Sequence, residues 1–312
     1  GNKNMAAGLK AQFASWVNGR NGLRGNGKDS YTWRPANFKQ AAPYTKPAKP
    51  VKRPVWATAR PKREPKHHWA RLICHNVGGM NSTGTKDFGQ RSIKLWADYV
   101  ELKPDVVVVQ EVANGEQLAQ FTVAARAHGF VRAAGGNGRH IYKHRGLPSR
   151  NGCWGQLTPT YKGDSKEFAF TVVDVRGDEL PILNLHLDAT KGQDQLRVNQ
   201  AKNALTQGRA LAKAAGVAQT RLVVAGDMNS ETWVTERALN AGGWINARET
   251  AFRLTNASLR TFIEWKGKPS NGDAIDHIYT HRDRPVRWFG IRKRNAGLSD
   301  HLVIVADITK KG

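Results

Sequence analysis

Cysteine and long apolar runs are both scarce in this chain of 312 residues. Its two cysteines, Cys74 and Cys153, cannot form a disulfide scaffold, and they lack the spacing of a zinc site. The longest apolar runs, such as residues 106–109, span only a few positions, whereas a transmembrane helix needs about 20 apolar residues. A small disulfide-stapled protein, a cysteine-based zinc protein and a membrane-spanning protein are therefore excluded.

Acidic residues are also few. The chain has 25 Asp and Glu against 49 Lys and Arg, and its net charge of +24 predicts attraction to nucleic acid or an anionic membrane face. Residues 1–70 hold 15 basic residues and two acids, a net charge of +13, and seven of the 13 prolines lie from Pro35 to Pro65. We therefore predict a basic, Pro-rich arm or linker over residues 1–69, with a short amphipathic helix over Met5–Val17, and a folded domain over 70–312.

Short apolar and β-branched runs recur after residue 69 and predict strands. They lie at residues 71–77, 106–110, 168–175, 181–187, 221–225, 274–279 and 302–308. Helical spacing of apolar residues occurs between them, over residues 93–100, 117–128 and 195–215. Because several strands follow one another without an intervening helix, we predict an α+β fold with two sheets packed face to face and helices outside.

Six of these strands end in, or run into, a carboxylate, an amide or an imidazole. The residues are Asn76, Glu111, His186, Asp227 with Asn229, Asp276 with His277, and Asp300 with His301. Each alone is compatible with a turn or a cap, but polar groups are costly to bury unless they are paired, metal-bound or catalytic. Taken together, they predict a functional cleft at one edge of the sheets.

The side chains in this set match the parts of a phosphodiesterase. Oxygen ligands suited to a hard cation such as Mg²⁺ or Mn²⁺ come from Glu111, Asp227, Asp300, Asn76 and Asn229. Two histidines, His186 and His301, supply imidazoles that titrate near neutral pH. The cation would neutralise phosphate charge, a base would prepare water, and imidazole or amide groups would stabilise the pentacoordinate oxygens.

Five short motifs resemble, in the same order, those of the endonuclease/exonuclease/phosphatase superfamily. They are Gln110-Glu111-Val112, Asn184-Leu185-His186-Leu187, Gly226-Asp227-Met228-Asn229, Ile275-Asp276-His277-Ile278 and Ser299-Asp300-His301. The similarity covers about residues 70 to 308, and within the superfamily the chain is most similar to pancreatic-type deoxyribonuclease. Two segments carry that closer likeness, residues 138–143 (Gly-Arg-His-Ile-Tyr-Lys) and Thr261-Phe262. The resemblance implies a four-layer α/β-sandwich that cleaves phosphodiesters with a metal ion.

The resemblance also implies a role for each oxygen-bearing residue. Glu111 would be the main ligand of the metal, with Asn76 beside it and Asp300 close enough to help. The ion would be Mg²⁺ or Mn²⁺, with Ca²⁺ as a further candidate. Asp227 and Asn229 would bind and orient the attacking water and the phosphate.

The remaining predicted site residues are histidines, their partner and two substrate contacts. By the same resemblance, His301 would act as general base or phosphate clamp, held by Asp276, and His186 would face it across the scissile phosphate. Arg139 and Tyr142 would contact the substrate backbone.

Two positions depart from the patterns of the superfamily. The deoxyribonucleases have a glutamate directly after Tyr-Lys that pairs with the first catalytic histidine, and this chain has His144 there. The acid found two residues beyond the first asparagine in abasic-site nucleases is replaced by Gly78. The partner of His186 is thus left open, and abasic-site specificity is not expected.

The predicted substrate is nucleic acid, because basic side chains near phosphates release counterions, and the likeness to pancreatic-type deoxyribonuclease favours DNA over RNA. No motif for reading base sequence is visible, so we expect largely non-specific cleavage of DNA. The alternatives are a non-catalytic nucleic-acid-binding or virion component, and a phosphatase or phosphodiesterase acting on RNA, inositol phosphate or lipid. The arm is also a candidate contact for a partner protein or larger assembly. A soluble protein is expected, and a phage-borne nuclease, a secreted one and a processed fragment of a longer protein all fit, since the chain begins at Gly1 without an apolar leader.

Overall fold

The computed structural model describes residues 69–80, 83–84, 86–161, 164–265, 267–294 and 296–310, without the side chains of residues 161, 164–165 and 232–234. The predicted arm and its short helix lie outside the described residues, apart from residue 69, and remain predictions. Five α-helices and 13 strands are assigned in the described part of the chain. The helices are α1 (Phe88–Glu101), α2 (Glu116–Ala127), α3 (Asp194–Ala214), α4 (Thr232–Asn240) and α5 (Ala247–Thr250). No helix in the described ranges is long and apolar enough to span a membrane.

The first sheet has seven strands. In spatial order these are β10 (Arg253–Thr255), β12 (Val286–Arg292), β13 (Val303–Thr309), β1 (Trp69–Asn76), β2 (Val106–Val112), β4 (Gly138–His144) and β3 (Phe130–Gly136). The second sheet has six. Its order is β5 (Ser149–Tyr161), β6 (Asp164–Val175), β7 (Asp178–His186), β8 (Val223–Asp227), β11 (Asp276–His281) and β9 (Trp244–Asn246).

The two sheets pack face to face because alternate residues of each strand point to opposite sides. Val108 of β2 and Ile182 of β7 lie in the core between the sheets. Their neighbours in sequence point outward, so Val107 packs in the cluster with α1 and α2, and Leu183 packs in the cluster with α3. The result is four layers, helix, sheet, sheet and helix. The predicted α+β sandwich is confirmed.

Strand direction brings the ends of the central strands to one edge of the sandwich. In the first sheet β1 and β2 run parallel, with Asn76 opposite Gln110. In the second sheet β7 and β8 run parallel, with His186 opposite Asp227, and antiparallel β11 places Asp276 opposite Asp227. The polar residues that the sequence places at strand ends therefore meet at the same edge.

Candidate active site

Asn76 links the two sheets at the centre of this edge. Its Nδ2 donates to Glu111 Oε1 of the first sheet at 3.0 Å and to Asp227 Oδ2 of the second at 2.9 Å. The amide oxygen accepts a hydrogen bond from the Gly78 backbone N–H at 2.9 Å, which holds the amide in this orientation. One buried amide thus keeps two carboxylates close together, and their negative charges favour a cation between them.

Glu111 reaches the cleft because β2 is irregular at its end. The pairing register between β2 and β4 shifts between Val109 and Val112, and Glu111 has a φ of 59° in the left-handed region. Such a bulge re-aims a side chain relative to the rest of the strand. The Glu111 side chain stays 19% exposed while the strand before it is fully buried. Its carboxylate is therefore accessible to a ligand in the cleft.

Asp227 lies at the end of β8 and is almost completely buried. The Asn229 backbone N–H donates to Asp227 Oδ1 at 2.8 Å, and the Asn229 side-chain amide donates to the Leu187 carbonyl at 3.0 Å. Burial and the nearby charge of Asp276 raise the pKa of Asp227 to about 7. This carboxylate can therefore take up or release a proton near neutral pH.

His301 and Asp276 form a buried pair across the second sheet's edge of the cleft. His301 Nδ1 lies 2.8 Å from Asp276 Oδ2, and His301 Nε2 points towards Asp227 Oδ2 at 3.7 Å. Burial lowers the pKa of His301, but the charge and hydrogen bond of Asp276, with the charge of Asp227, raise it more, to about 10. Burial raises the pKa of Asp276, but His301 lowers it more. His301 is thus a cation at neutral pH.

His186 has the opposite protonation state. Its Nε2 lies 3.6 Å from Asp227 Oδ2 and 3.9 Å from Glu111 Oε1. Burial and the positive charge of Arg139 lower the pKa of His186 well below its ordinary value. The cleft therefore holds one neutral imidazole, at residue 186, and one cationic imidazole, at residue 301.

A glutamate that the sequence analysis did not single out lies beside His186. The pairing of β6 with β7 places Phe168 opposite Leu185, so Glu167 and His186 occupy the next facing positions. Glu167 is buried, and its Oε2 accepts a hydrogen bond from the Asn137 backbone N–H at 2.8 Å. The available signal was its place directly before the apolar run 168–175, although β6 itself begins three residues earlier, at Asp164.

Arg139 lies next to His186 at the cleft, and its contact with a substrate stays a prediction. Its guanidinium is buried and donates to the carbonyls of Asn137 and His186, the latter at 3.4 Å. The Nε–H of Arg139 has no hydrogen-bond partner among the described residues. The positive charge of this guanidinium next to His186 favours an anion in the cleft.

The structure corrects the substrate contact predicted for Tyr142. Alternation along β4 sends Ile141 between the sheets and Tyr142 to the opposite face, under α2. The Tyr142 side chain is fully buried, and its hydroxyl lies 2.9 Å from Thr122 Oγ1. It therefore cannot touch a substrate in the cleft. His144 ends β4 opposite the start of β3, where its ring meets Phe130, far along the strand from the cleft.

Asp300 lies on the first-sheet side of the cleft. Ser299 Oγ donates to the Asn76 carbonyl at 2.7 Å and lies 3.3 Å from Asp300 Oδ1. A Cβ added to Gly78 would lie only 2.4 Å from Asp300 Oδ1, and Gly78 has a φ of 59°. The glycine that replaces an acid of the abasic-site nucleases is thus required by the position of Asp300.

The site residues fit a divalent cation. One group of acids and histidine whose ligand atoms lie within 4.8 Å of one another is Asp227, Asp276 and His301. A cationic His301 cannot ligate a metal, however, so the Glu111 carboxylate, which the Asn76 amide holds close to that of Asp227, is the better candidate ligand. Asn76 itself directs its N–H groups, not its oxygen, at these carboxylates. Burial and the charge of Asp276 raise the pKa of Asp227 despite the charge of His301 and the hydrogen bonds from Asn76 and Asn229, so a cation bound beside Asp227 would favour its charged form.

Comparison with known proteins agrees with this geometry. A family model described as Endonuclease/Exonuclease/phosphatase family matches residues 74–301. No curated protein matches the chain.

Solved structures share the fold. An endonuclease/exonuclease/phosphatase family protein from Bacteroides thetaiotaomicron superposes with a TM-score of 0.65 at 17% identity, covering 77% of this chain and 94% of that one. The mannosyl-6-phosphatase Bt3783 of the same organism superposes with a TM-score of 0.65 at 17% identity, covering 77% of this chain and 99% of that one. The human Nocturnin catalytic domain superposes with a TM-score of 0.56 at 16% identity, covering 78% of this chain and 94% of that one.

The family model spans most of the chain and contains every predicted site residue, from Asn76 to His301. The four layers and the cleft at one edge of both sheets are the architecture that the resemblance implied. Members of this family are divalent-metal-dependent hydrolases of phosphoester bonds. The chain belongs to the endonuclease/exonuclease/phosphatase family.

Proposed function

We propose that this protein is a divalent-metal-dependent phosphodiesterase that cleaves DNA with little sequence preference. The observation that carries the proposal is the Asn76 amide, which holds Glu111 and Asp227 together between a neutral His186 and a cationic His301. Metal ligand, proton acceptor and phosphate clamp are thus present within one cleft.

Each residue then has a defined role. Glu111 would hold Mg²⁺ or Mn²⁺, with Asp300 nearby, and the bound cation would neutralise phosphate charge. Asp227 Oδ2, whose pKa is near 7, accepts the proton of the attacking water. His301 Nε2–H donates to a phosphoryl oxygen, so its proton is held throughout the attack.

The other polar groups of the cleft orient these reactants. Asn229 fixes the Asp227 carboxylate through its backbone N–H. His186 presents a neutral Nε2 to the same space, and the positive charge of the buried Arg139 guanidinium beside it attracts the phosphate. Such preorganised groups contribute to the rate because they need not reorient as charge develops.

Charge supports nucleic acid as the substrate. The chain carries +24, of which +13 lies in residues 1–70, and every cation that approaches a phosphate releases counterions. A lipid, inositol phosphate or sugar phosphate would not need so extended a positive charge. DNA is proposed over RNA on the likeness of the motifs to pancreatic-type deoxyribonuclease.

The test is conversion of supercoiled plasmid to nicked circles. The wild-type chain should nick it with Mg²⁺ and stop when a chelator is added. Glu111→Gln should lose on the order of 10²-fold or more, because the charge that holds the cation is removed. Glu179→Gln is the matched control, since Glu179 is paired with Arg150 on β5, outside the cleft, and activity should be unchanged.

Three outcomes would contradict the proposal. One is full activity of Glu111→Gln at ordinary Mg²⁺. Another is intact plasmid while inorganic phosphate is released from a phosphomonoester, which would indicate a phosphatase. The third is tight binding of DNA without any cleavage, which would indicate a non-catalytic nucleic-acid-binding component.

A further inference from the structure

Arg91 is a buried cation on the outer side of the first sheet. It belongs to α1, and only 8% of it is exposed. Nη1 donates to the carbonyls of Val77 at 2.5 Å and Leu298 at 2.6 Å, and Nη2 donates to the carbonyl of Gly84. Among the described residues its hydrogen-bond partners are thus backbone carbonyls, where a buried guanidinium usually finds a carboxylate.

Two of these carbonyls belong to the loops that carry site residues. Val77 directly follows Asn76, and Leu298 lies two residues before Asp300. The two loops also meet through Ser299, whose Oγ donates to the Asn76 carbonyl at 2.7 Å and accepts from the His301 N–H at 3.1 Å. A single guanidinium and a single hydroxyl therefore link the two loops to each other.

Two aromatic rings fix the plane of this guanidinium. Arg91 Cζ lies 5.1 Å from the centroid of Phe88 and 4.8 Å from that of Trp265. Trp265 in turn closes over Gly78, since a Cβ there would lie 2.8 Å from its ring. A lysine could keep the charge but not the planar fork with several donors, so it could not bond both loops in the same geometry.

Charge adds to this geometry. Asp300 and Glu111 both act on Arg91 through space, so the guanidinium lies behind the acids of the cleft. Burial of a cation without a carboxylate partner is costly. A contact that only filled space between the loops and α1 would not need a charge at all.

We infer that Arg91 is a positioning residue for the metal site, holding the loops of Asn76 and Asp300 in the geometry that lets Glu111 bind the cation. The inference rests on the proposed function, because it concerns how that site binds its metal. Residues that orient metal ligands without touching the metal typically change metal affinity by about 10- to 100-fold when they are replaced.

The experiment measures binding of Mn²⁺ alone, by electron paramagnetic resonance of the free ion, to the full chain. Arg91→Lys should raise the Mn²⁺ dissociation constant by about tenfold or more. Saturating Mn²⁺ should then restore part of kcat on bis-p-nitrophenyl phosphate. The matched control is Arg71→Lys. Arg71 is the third residue of the strand that Asn76 ends, and it also donates to a carbonyl, that of Leu102.

Arg71→Lys should lower the melting temperature but leave the Mn²⁺ dissociation constant within about twofold of wild type, because its partners lie at the other end of β1. Equal weakening in the two variants would show a general loss of stability and overturn the inference, as would unchanged binding in Arg91→Lys. If Arg91→Lys does not fold, Trp265→Leu is the second variant, because it removes one of the two rings that flank the Arg91 guanidinium. Wild-type Mn²⁺ binding by Trp265→Leu would overturn the inference. Absence of Mn²⁺ binding by the wild-type chain would instead overturn the proposed function itself, and the inference with it.

Discussion

Replacing Asp276 by asparagine tests whether His301 acts as a cation. Asparagine keeps the hydrogen bond to His301 Nδ1 and removes the charge. Asp276 Oδ1 has no hydrogen-bond partner among the described residues, so the new NH₂ group displaces no existing bond. The change is therefore close to purely electrostatic.

The size of the effect follows from the geometry. At the 2.8 Å between His301 Nδ1 and Asp276 Oδ2, Coulomb's law with an effective dielectric constant of about 20 gives about 6 kcal/mol. That corresponds to about 4 pKa units before the opposing cost of burial, at about 1.4 kcal/mol per unit. Without the Asp276 charge, the pKa of His301 should fall from about 10 towards its ordinary value of 6.5.

The pH dependence of the rate reports this change. In the wild-type chain, activity should rise as Asp227 loses its proton near pH 7 and stay high until His301 loses its own near pH 10. In Asp276→Asn the upper limit should move to near pH 7, and the pKa of Asp227 should fall because the Asp276 charge that raises it is gone. Hydrolysis of bis-p-nitrophenyl phosphate should therefore be slower at pH 8 than at pH 6. The ratio of the two rates is informative even if both are low.

Stability should change in a matching window. The raised pKa of His301 gives stability that is full below pH 6.5 and lost as the pH rises through about 10. The lowered pKa of Asp276 gives stability that is present above 3.8 and lost as the pH falls through its folded value. Thermal unfolding of Asp276→Asn should therefore occur at a lower temperature than in wild type around pH 7.

Asp307→Asn is the matched control. Asp307 lies on β13, is buried, and forms an ion pair with Arg71 of β1. Loss of the Asp307 charge should therefore lower stability but leave the ratio of rates at pH 8 and pH 6 as in wild type. The same ratio in Asp276→Asn as in wild type would refute the assignment of His301 as a cation held by Asp276. Faster hydrolysis by Asp276→Asn at pH 8 would show that a neutral His301 acts as a base.

Two further predictions concern residues outside this pair. Tyr142→Phe should lose about 1 kcal/mol of the free energy of unfolding, the usual value of one hydrogen bond, because the Tyr142 hydroxyl contacts Thr122. The value of kcat/KM should not change, and a large fall in it would restore a substrate role for Tyr142. Deleting residues 1–66 should leave cleavage at low salt nearly unchanged and flatten the salt dependence of DNA binding, whose slope is about −0.9 per phosphate contacted. An unchanged slope, measured at three salt concentrations, would instead favour docking of the arm on a partner protein.

The sequence alone was sufficient for the sandwich, and it named most of the residues that the structure brings together at the cleft. Central strands show as short apolar runs because both of their faces are buried, and this pattern is local. The polar residues at their ends were recognisable for the same reason, since a carboxylate or imidazole interrupts an apolar run at Glu111, His186 and Asp227. The strand β5 was not predicted, because its Gly-, Thr- and Pro-containing sequence forms a strand only by pairing with β6.

Tertiary structure decided which side chains are neighbours at the cleft and which way each side chain points. The register of β6 against β7 places Glu167 beside His186, and alternation along β4 turns Tyr142 away from the cleft although it lies three residues after Arg139. Neither fact is local, because each depends on which strand lies next to which.

Tertiary structure also decided the protonation states of the two cleft histidines. His186 and His301 have the same ordinary pKa, and nothing in their motifs says that one is neutral and the other cationic. The difference comes from Arg139 near the first and Asp276 against the second, charges brought close from distant parts of the chain. A sequence states which groups can ionise, but the field that sets each pKa exists only once the chain is folded.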